Sequence, residues 1–461
     1  MEARASSTRS VSCSRAAIVT CAFLMSGTAS ATGFFINQQS VKGLGRVDAG
    51  NTATADDLGT LFFNPAGMTE LWKRERIERG NAGVEPRTMW SFGTHLVIGR
   101  TRIADAGSTL ATPGTLGADV LSGGGPSRNP VHPTPITNLY VAHQLSEGVS
   151  VGFAANIPFG LATEFHPAWF GRYDAIEASL RTINLSGVVA IKLTDSLSIG
   201  GGIDAQRART TLATAVPNPL GSPDPTTDAR ITSKADTWSP GFNVGVLYKF
   251  DERTRVGAHF RSGMRHELEG SSTFSGFSGG FVGLNGSVGS NAVLHLPAIA
   301  TLGVRHAVSD KLTLLGELEW YNWSKFKEIR LRFDDPARPE ALRAANYRDT
   351  WAIAAGAEYK LQQPGWTVRG GIQFDRTPTV DAFRDTTVPD GNRLWLGLGA
   401  TYRKCDRVSF DFALNHVFFK DTNIAVTRQF FEGSPLATTA RINGTATNRV
   451  NTIAVDMRIA Y

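Results

Sequence analysis

The chain is poor in cysteine and has no long apolar segment beyond its first residues. Three Cys occur in 461 residues, and two of them, Cys13 and Cys21, lie within residues 1–31. After Ala31 no run approaches the roughly 18–20 apolar residues that a membrane-spanning helix requires. A chain that keeps only Cys405 beyond this point cannot form an intramolecular disulfide. Helical membrane spans are likewise excluded for this part of the sequence.

Clustered charge and metal-binding or catalytic constellations are also missing. The formal net charge is +6, but basic and acidic residues are interspersed, so nucleic acid is not predicted as a partner. Residues 276–280, GFSGG, fit a nucleophile-elbow pattern but lie in a Ser- and Gly-rich stretch that does not suit its strand-to-helix turn. The spacing of His259 and His266 puts them on opposite faces of one regular strand. We predict no enzyme, no metal and no cofactor.

Residues 1–31 have the layout of a secretory signal peptide. Arg4, Arg9 and Arg15 supply a basic start, residues 16–25 are apolar, and small residues end the segment. A transmembrane anchor is the alternative, but the apolar core is much shorter than a spanning helix. We predict an exported protein that is cleaved after this segment.

From residue 88 onward, apolar and polar residues alternate with a period of two. This pattern is typical of strands that have one face toward lipid. Fourteen such segments can be counted, beginning at residue 88 and continuing at 136–146, 148–160, 178–194, 196–212, 238–250, 253–269, 292–308, 311–333, 348–361, 365–377, 392–404, 406–421 and 440–461. The last of them ends on Tyr461, an aromatic residue in phase with Ile459 and Met457.

The connections between these segments alternate between tight polar turns and long loops. Residues 101–135 and 213–237 form long Gly- and Pro-containing loops, whereas the turns at 146–147 and 194–196 are short. Short turns on one side and long loops on the other are a property of outer-membrane barrels, and a soluble β-sandwich, the alternative, lacks it. The predicted fold class is an all-β membrane protein, a 14-stranded antiparallel transmembrane β-barrel over residues 88–461 in the bacterial outer membrane.

The segment before the first strand has no strand periodicity. Residues 32–72 are rich in Gly and Ala and carry large apolar side chains such as Phe34, Phe35 and Phe62. About 40 residues are too few to fold alone, and a barrel of this size has a lumen that wall side chains do not fill. We predict that residues 32–75 form an N-terminal luminal plug, or hatch, and that such a lumen serves hydrophobic cargo.

A second irregularity lies in the third alternating segment. There Pro158 removes a backbone donor, and Gly160 permits a bend. We predict a kink that opens the wall locally at Asn156, Ile157, Pro158, Phe159, Gly160 and Leu161. The alternative is that the strand ends at Ile157 and the loop begins with Pro158.

Several short motifs are distinctive when taken together. They are GLGR at 43–46, NPA at 64–66, FGLATEF at 159–165, INLSG at 183–187, WSKF at 323–326 and VPDGNRLWL at 388–396. In these motifs the chain resembles the FadL family of outer-membrane long-chain fatty-acid transporters. The resemblance implies 14 strands, an N-terminal hatch, and an inward kink in the third strand that opens sideways into the membrane.

The same resemblance implies roles for individual residues. The hatch motif falls on Asn64, Pro65 and Ala66, and the key glycine of the kink on Gly160. The ligand pocket is implied to include Phe34, Arg209, Arg330 and Asp375. For the two arginines, an ion pair within the wall is the alternative. An external apolar groove depends mainly on Phe274, Phe277, Phe281 and Leu284.

The predicted function is uptake of long-chain fatty acids or similar hydrophobic compounds across the outer membrane. The ligand is expected to bind in the barrel lumen and to leave sideways through the kink, and the protein is expected to be a monomer in contact with outer-membrane lipid. One alternative is a channel for neutral aromatic hydrocarbons. A lipase-like barrel enzyme and a general porin are more distant alternatives, because the sequence offers a plug and no Ser/His/Asp set.

Overall fold

The structure is a computed structural model and describes residues 33–72, 87–114, 118–121, 127–405 and 407–461. The predicted signal peptide and residues 32 and 73–75 of the predicted hatch lie outside the described residues. None of the described helices is long and apolar enough to cross a membrane.

Fourteen antiparallel strands form a closed barrel, which confirms the predicted fold class. In chain order they are β1 (Thr88–Asp105), β2 (Thr134–Ser146), β3 (Val149–Asn156 and Gly160–Glu164), β4 (Glu177–Lys192), β5 (Leu197–Val216), β6 (Ala229–Lys249), β7 (Thr254–Arg261 and Met264–Ser275), β8 (Gly286–Leu296 and Ile299–Ala307), β9 (Leu312–Tyr321 and Glu328–Phe333), β10 (Ala341–Ala344 and Thr350–Lys360), β11 (Trp366–Asp375), β12 (Arg393–Cys405), β13 (Val408–Phe419 and Thr422–Phe430) and β14 (Thr438–Ala460). Each strand pairs with its neighbours in sequence, and β1 pairs with β14 from Met89 and Ala460 onward, which closes the wall. Two short strands, Thr109–Ala111 and Ala118–Val120, extend the sheet beside β14.

Several strands run further toward the long loops than the alternation predicts. β6 begins at Ala229 rather than at 238, and β13 continues through Thr422–Phe430. The extension of β6 reads ARITSKADT and has no continuous apolar face, because Ser233 and Thr237 interrupt the face that carries Ala229, Ile231 and Ala235. Backbone pairing beyond the hydrocarbon region needs no such face, so a hydrophobic pattern does not reveal it.

The structure corrects the prediction that His259 and His266 lie on opposite faces. Both side chains are buried on the lumen side, because Ser262 and Gly263 interrupt β7 and shift the alternation by one residue. Among the described residues, no group of His, Cys, Asp or Glu has the arrangement of a metal site.

The outer face of the barrel is apolar at membrane depth. Ile203 and Leu398, which point away from the lumen, are 75% and 68% exposed. Trp320 and Trp351 are directly paired on the outer face of β9 and β10. Aromatic side chains form girdles at the membrane interfaces of barrels. The pair lies at the end of the first segment of β9, on the side of the barrel that carries the long loops, where such a girdle is expected.

Residues 33–72, the hatch segment, lie inside the barrel. All of them except Asp57 are buried. The segment forms three single-turn helices, Val41–Leu44, Asn51–Thr54 and Thr60–Phe63, and the 3-10 turn Pro65–Gly67. Wall glycines make room for its backbone: a Cβ at Gly371 would lie 2.2 Å from the carbonyl oxygen of Arg46. The lumen is thus filled by main chain as well as side chains.

An ion network fixes the hatch segment to the wall. The guanidinium of Arg46 lies 3.1 Å from Asp56 within the hatch segment and 2.8 Å from Glu358 on β10. Glu358 also accepts from Arg369 on β11 at 3.2 Å, and Arg369 reaches Asp411 on β13 at 3.3 Å. Buried charges are tolerated only when they are paired in this way, so each member depends on the others.

The first prediction concerns this network. Glu358→Gln keeps the shape of the side chain but removes a charge shared by two buried guanidiniums, and loss of one partner of a buried ion pair costs about 3–5 kcal/mol. We expect planar-bilayer recordings to show little steady conductance for the unmodified barrel and frequent openings for Glu358→Gln. Glu252→Gln, in an exposed turn, is the control. Equal conductance of the three proteins would contradict a hatch held by Glu358.

Candidate functional site

An apolar cavity lies between the hatch segment, the wall and the external loops. Its space, including the mouth, is about 1060 Å³. A concave, largely apolar lining with a few polar groups is typical of a site for small molecules. Its apolar lining comes mainly from Phe34, Leu161, Leu180, Leu212, Leu268, Leu294, Phe326, Ile329, Leu331, Tyr347 and Val388.

Aromatic rings pack around Phe34 at one side of this cavity. The ring of Phe34 lies 4.6 Å from Trp323 and 5.4 Å from Phe326, centroid to centroid. Tyr347 lies 4.9 Å from Phe326, and Phe159 of the strand-three kink lies 6.3 Å from Phe34. Edge-to-face pairs at such distances add to the stabilisation by burial. The start of the hatch segment therefore forms part of the cavity wall, where the sequence predicts Phe34.

Charged side chains are confined to one part of the cavity lining. They are Arg343, Arg384 and Asp385. Arg343 donates to the carbonyl oxygen of Asp174 at 2.6 Å. Arg384 donates to the carbonyl oxygen of Asp390 at 2.9 Å and pairs with the carboxylate of Asp381 at 2.7 Å. A guanidinium carries five N–H donors, so each arginine can hold a loop and still donate to a ligand. The cavity thus combines a large apolar surface with a localised cationic end.

Asp174 connects its own loop to β10, to β13 and to the loop between β11 and β12 behind this cationic end. Its carboxylate is fully buried and lies 2.6 Å from Arg428 and 3.9 Å from Arg343. It also accepts from the backbone N–H of Thr386 at 2.8 Å. Burial disfavours the charged form, but Arg428 and Arg343 outweigh it and hold the pKa of Asp174 below its ordinary value. Burial and the neighbouring Asp174 raise the pKa of Asp385.

The loop at residues 165–176, between β3 and β4, carries Asp174 and turns inward. Phe165 and Trp169 stack with ring centroids 3.9 Å apart. Arg172, also fully buried, pairs with Asp228 at 2.7 Å. Phe165 and Trp169 belong to a second apolar cluster that includes Ile103, Tyr173, Ile176, Ile424 and Ile442. The external end of the barrel is therefore covered by a packed loop.

Strand β3 is interrupted where the sequence predicts the kink. Pairing with β2 stops at Ala155, and the backbone then turns toward the hatch segment. There the N–H of Ile36 donates to the carbonyl oxygen of Pro158 at 2.9 Å, and the N–H of Gly160 donates to that of Phe34 at 2.9 Å. A Cβ at Gly160 would lie 2.8 Å from the side chain of Ile36. The first residues of the hatch segment thus replace β2 as the pairing partner.

This detour leaves an opening in the wall between β2 and β3. Residues 134–138 of β2 pair with β1 but, among the described residues, have no ladder partner on β3. The opening ends where the N–H of Glu164 donates to the carbonyl oxygen of Pro130 at 2.8 Å. Leu161 and Val388 line both the apolar cavity and the space behind this opening. The alternative that the strand simply ends at Ile157 does not describe this geometry, because pairing with β4 resumes at Gly160.

The implied pocket residues separate into those near the cavity and those away from it. Phe34 lines the cavity. Asp375 is buried in the wall, 3.6 Å from Arg393 and outside the cavity lining. Arg209 is exposed on the outer face of β5, because the inward positions of that strand are Asp204, Gln206 and Ala208.

Arg330 also lies outside the cavity lining. Its guanidinium pairs with Glu328 at 2.9 Å and with Glu340. Its neighbours Ile329 and Leu331 line the cavity, so strand alternation turns Arg330 to the other side. The resemblance implied that Arg209 and Arg330 contact the head group of a ligand in the lumen. The structure corrects this, because both side chains lie outside the cavity lining.

The hatch motif has a structural role. Asn64 donates to the carbonyl oxygens of Thr52 at 2.8 Å and Val246 at 2.9 Å, and its side-chain oxygen accepts from the N–H of Ala66 at 3.2 Å. Pro65 occupies the first turn position, where a missing N–H costs nothing. One amide thus caps a turn and ties the hatch segment to β6.

Sequence reasoning missed Arg384 and Asp174, which lie in long loops without periodic pattern, and Arg343, which lies in a short strand segment that the alternation did not reveal. Of the residues expected to form an external groove, Phe274 is instead buried beneath the guanidinium of Arg338, 4.0 Å from its ring centroid. Phe281 lies 6.1 Å from Phe431 of another loop. The sequence feature nearest to this cationic end is the motif at 388–396, which follows Arg384 closely and could have pointed to it.

The closed barrel and the apolar cavity define an outer-membrane protein that carries hydrophobic compounds. A family model described as "Outer membrane protein transport protein (OMPP1/FadL/TodX)" matches residues 22–461. The chain belongs to this family, and the resemblance noted in the sequence is confirmed. Its location is the bacterial outer membrane.

Known relatives cover nearly the whole chain. Outer membrane protein P1 of Haemophilus influenzae is 25% identical over 96% of this chain and 98% of its own length. The long-chain fatty acid transport protein of Escherichia coli O6:H1 is 27% identical, covering 87% and 90%. Among solved structures, a Pseudomonas aeruginosa FadL homologue aligns with a TM-score of 0.77 at 24% identity, covering 93% and 99%. The Pseudomonas putida toluene transporter TodX aligns with a TM-score of 0.60 at 16% identity, covering 88% and 94%.

The second prediction concerns Asp174. Because its folded pKa is depressed, its ion pairs stabilise the 165–176 loop at neutral pH, and that stabilisation is lost only as the pH falls through the folded pKa. Asp174→Asn should remove it at every pH and lower hydrogen-exchange protection of the loop by about tenfold or more, since a buried charge pair is broken. Asp224→Asn, in an exposed loop, is the control. Unchanged protection in Asp174→Asn would rule out Asp174 as the residue that holds this loop.

Proposed function

We propose that this protein takes up long-chain fatty acids, with the tail in the apolar cavity and the carboxylate at Arg343 and Arg384. The observation that carries the proposal is the single cavity that joins a long apolar lining to two arginines. Burying a CH₂ group contributes about 0.8 kcal/mol, so a 16-carbon tail gains on the order of 10 kcal/mol before ordering costs. Charge-assisted hydrogen bonds then fix the polar end.

In this proposal the hatch segment acts as a plug and the ligand leaves sideways. A straight path to the periplasm would cross the buried ion network of Arg46 and Glu358 and expose the tail to polar groups. The opening beside Leu161 leads toward lipid instead, and Leu161 and Val388 line both this space and the cavity. A route that keeps an apolar tail out of water avoids a cost of about 25 cal/mol for each Å².

A second candidate cargo is a neutral aromatic hydrocarbon. The rings of Phe34, Trp323, Phe326 and Tyr347 offer an aromatic surface beside the cavity, and one similar structure is a toluene transporter. Neither cargo requires a catalytic step, and the relatives are transporters or channels rather than enzymes. Because β14 closes on β1 of the same chain, one copy is proposed to be the working unit.

The third prediction separates the two cargoes. Arg343→Gln should weaken binding of palmitate about 10- to 100-fold, because a charge-assisted hydrogen bond contributes about 1.5–3 kcal/mol. Binding of methyl palmitate, which has no charge, should change little. Arg209→Gln, on the outer face of β5, is the control and should leave both affinities unchanged. Equal losses for palmitate and its methyl ester, measured by equilibrium binding to the purified barrel, would contradict a head-group role for Arg343.

The fourth prediction tests sideways release. Replacing the kink by Pro158→Val, Phe159→Thr and Gly160→Val restores strand-forming residues and should close the opening while the barrel still assembles. Uptake of labelled fatty acid by cells carrying this variant should fall to the level of cells without the protein. Phe153→Leu, in the regular part of β3, is the matched control. Uptake at the unmodified rate, with the variant present in the outer membrane, would exclude the route through β3.

A further inference from the structure

The backbone ladder of the wall has a second interruption, between β8 and β9. Pairing of these two strands runs from their short turn as far as Tyr321 and returns only at Arg332. In between, residues 292–297 of β8 and 323–331 of β9, all of them described, share no backbone hydrogen bond. The peptide groups of a strand point alternately toward its two neighbours. Those of residues 292–297 that face β9 therefore open onto a gap.

The WSKF motif at residues 323–326 causes this interruption. It forms a 3-10 turn that takes the backbone of β9 out of the ladder, and the second half of β9 then pairs with β10. Trp323 and Phe326 are buried on the inner side of the turn. Lys325 and Lys327 are exposed. The motif thus places aromatic rings inside the barrel and two cations at its outer surface.

A groove lies over this gap on the outer side of the barrel. Its space, including the mouth, is about 1010 Å³. It is lined by outward positions of β7 and β8, whereas Leu268 and Leu294 on the same strands face the ligand cavity. The lining consists of Arg265, Asn291, Ala292, Val293, His295, Lys325, Lys327, Glu328, Arg330 and Arg332.

The groove carries more positive than negative charge. Five Arg and Lys line it against one Glu. Neighbouring carboxylates pair with each of its arginines, which are Arg265, Arg330 and Arg332. Across the described part of the chain, no ion pair joins Lys325 or Lys327 to a carboxylate. The two lysines are thus the cations that an anionic ligand of the groove would neutralise.

The outer surface changes from apolar to charged at the level of the groove. On the side of the short turns, the lipid-facing positions are occupied by Phe260 on β7, Leu302 on β8 and Trp320 on β9. Further toward the long loops, the outward positions include Arg265 and Lys325. Aromatic girdles lie at the membrane interfaces of barrels, and the long loops face the cell exterior. The groove therefore lies at the level of the head groups of the external leaflet.

The lipid of that leaflet in bacterial outer membranes is built on lipid A, a glucosamine disaccharide that carries phosphate groups and several acyl chains. Clustered Lys and Arg beside a membrane surface attract anionic head groups. Asn291 and His295 add hydrogen-bonding groups that suit sugar hydroxyls. We infer that the groove binds one lipid A molecule, with a phosphate at Lys325 and Lys327 and acyl chains along the lipid face of β8 and β9.

A lipid A molecule in the groove closes the gap between β8 and β9. Its phosphate oxygens accept from N–H groups that face the gap, and such groups are costly to leave without a partner at membrane depth. Ala292 and Val293 line both the groove and the ligand cavity, so the bound lipid also separates the cavity from the bilayer at this place. The inference holds for any hydrophobic cargo, because it depends only on the outer surface and on the location in the outer membrane.

The binding test titrates the purified, delipidated full-length barrel with bisphosphorylated lipid A and counts bound molecules by native mass spectrometry. The unmodified protein should retain a single molecule. Lys325→Gln with Lys327→Gln should weaken its binding about 10-fold, since each lysine near an anionic head group adds to the attraction. Lys325→Arg with Lys327→Arg should keep the affinity. Lys311→Gln with Lys404→Gln, exposed at the short-turn end of the barrel, is the matched control and should bind like the unmodified protein.

Other probes identify the chemistry of the head group. Dephosphorylated lipid A and phosphatidylglycerol should both bind more weakly than bisphosphorylated lipid A, and millimolar inorganic phosphate should not displace it. Equal affinity of the unmodified protein and the glutamine variant for bisphosphorylated lipid A would overturn the site, and so would equal affinity for the phosphorylated and dephosphorylated forms. Displacement by inorganic phosphate would indicate a site for free anions instead, and tighter binding of phosphatidylglycerol a site for phospholipid.

Hydrogen exchange tests whether the bound lipid closes the gap. Bisphosphorylated lipid A should slow exchange of the amides of residues 292–297 that face β9 about tenfold in the unmodified protein, and it should have no effect in the glutamine variant. The segment Ile299–Ala307, which is paired on both sides, is the internal control and should not respond. Unchanged exchange at residues 292–297 with lipid A bound would contradict the closure of the gap.

Discussion

The structure depends on one constraint, which is that backbone N–H and C=O groups at membrane depth need partners. A closed ladder of strands meets this requirement, and most of the wall obeys it. At the kink in β3 the ladder is broken, and the backbone of Phe34 and Ile36 supplies the missing partners. The opening in β3 is therefore possible because another part of the chain has taken over the pairing.

This constraint couples the hatch segment to the wall. If residues 34–36 moved, Pro158 and Gly160 would lose hydrogen bonds at the edge of the opening, and Phe34 would leave the cavity wall. The ion network of Arg46 holds the rest of the segment to β10 and, through Arg369, to β11 and β13. The beginning of the hatch segment thus contacts both the ligand cavity and the opening, while its remainder is fixed.

The sequence was sufficient for the strand count, the short and long connections and the kink, because these depend on local alternation and on Pro158 and Gly160. It was misleading for Arg330. In β9 the apolar residues Ile329 and Leu331 face an apolar lumen rather than lipid, and a period of two cannot distinguish the two environments. The prediction for Arg209 was wrong for a related reason. The resemblance matched the residue type but did not show which face of β5 carries the side chain. The cationic end around Asp174 is built from contacts between residues that are distant in sequence, which no local pattern records.

The central claim is that a fatty acid lies in the cavity with its tail away from Arg343. The most direct measurement is anomalous diffraction from crystals of the barrel soaked with a fatty acid that carries bromine on its terminal carbon. The account predicts a bromine peak among Leu180, Leu268 and Leu294, at the apolar part of the cavity lining. A peak found only outside the barrel, or beside Arg343 and Arg384, would contradict it.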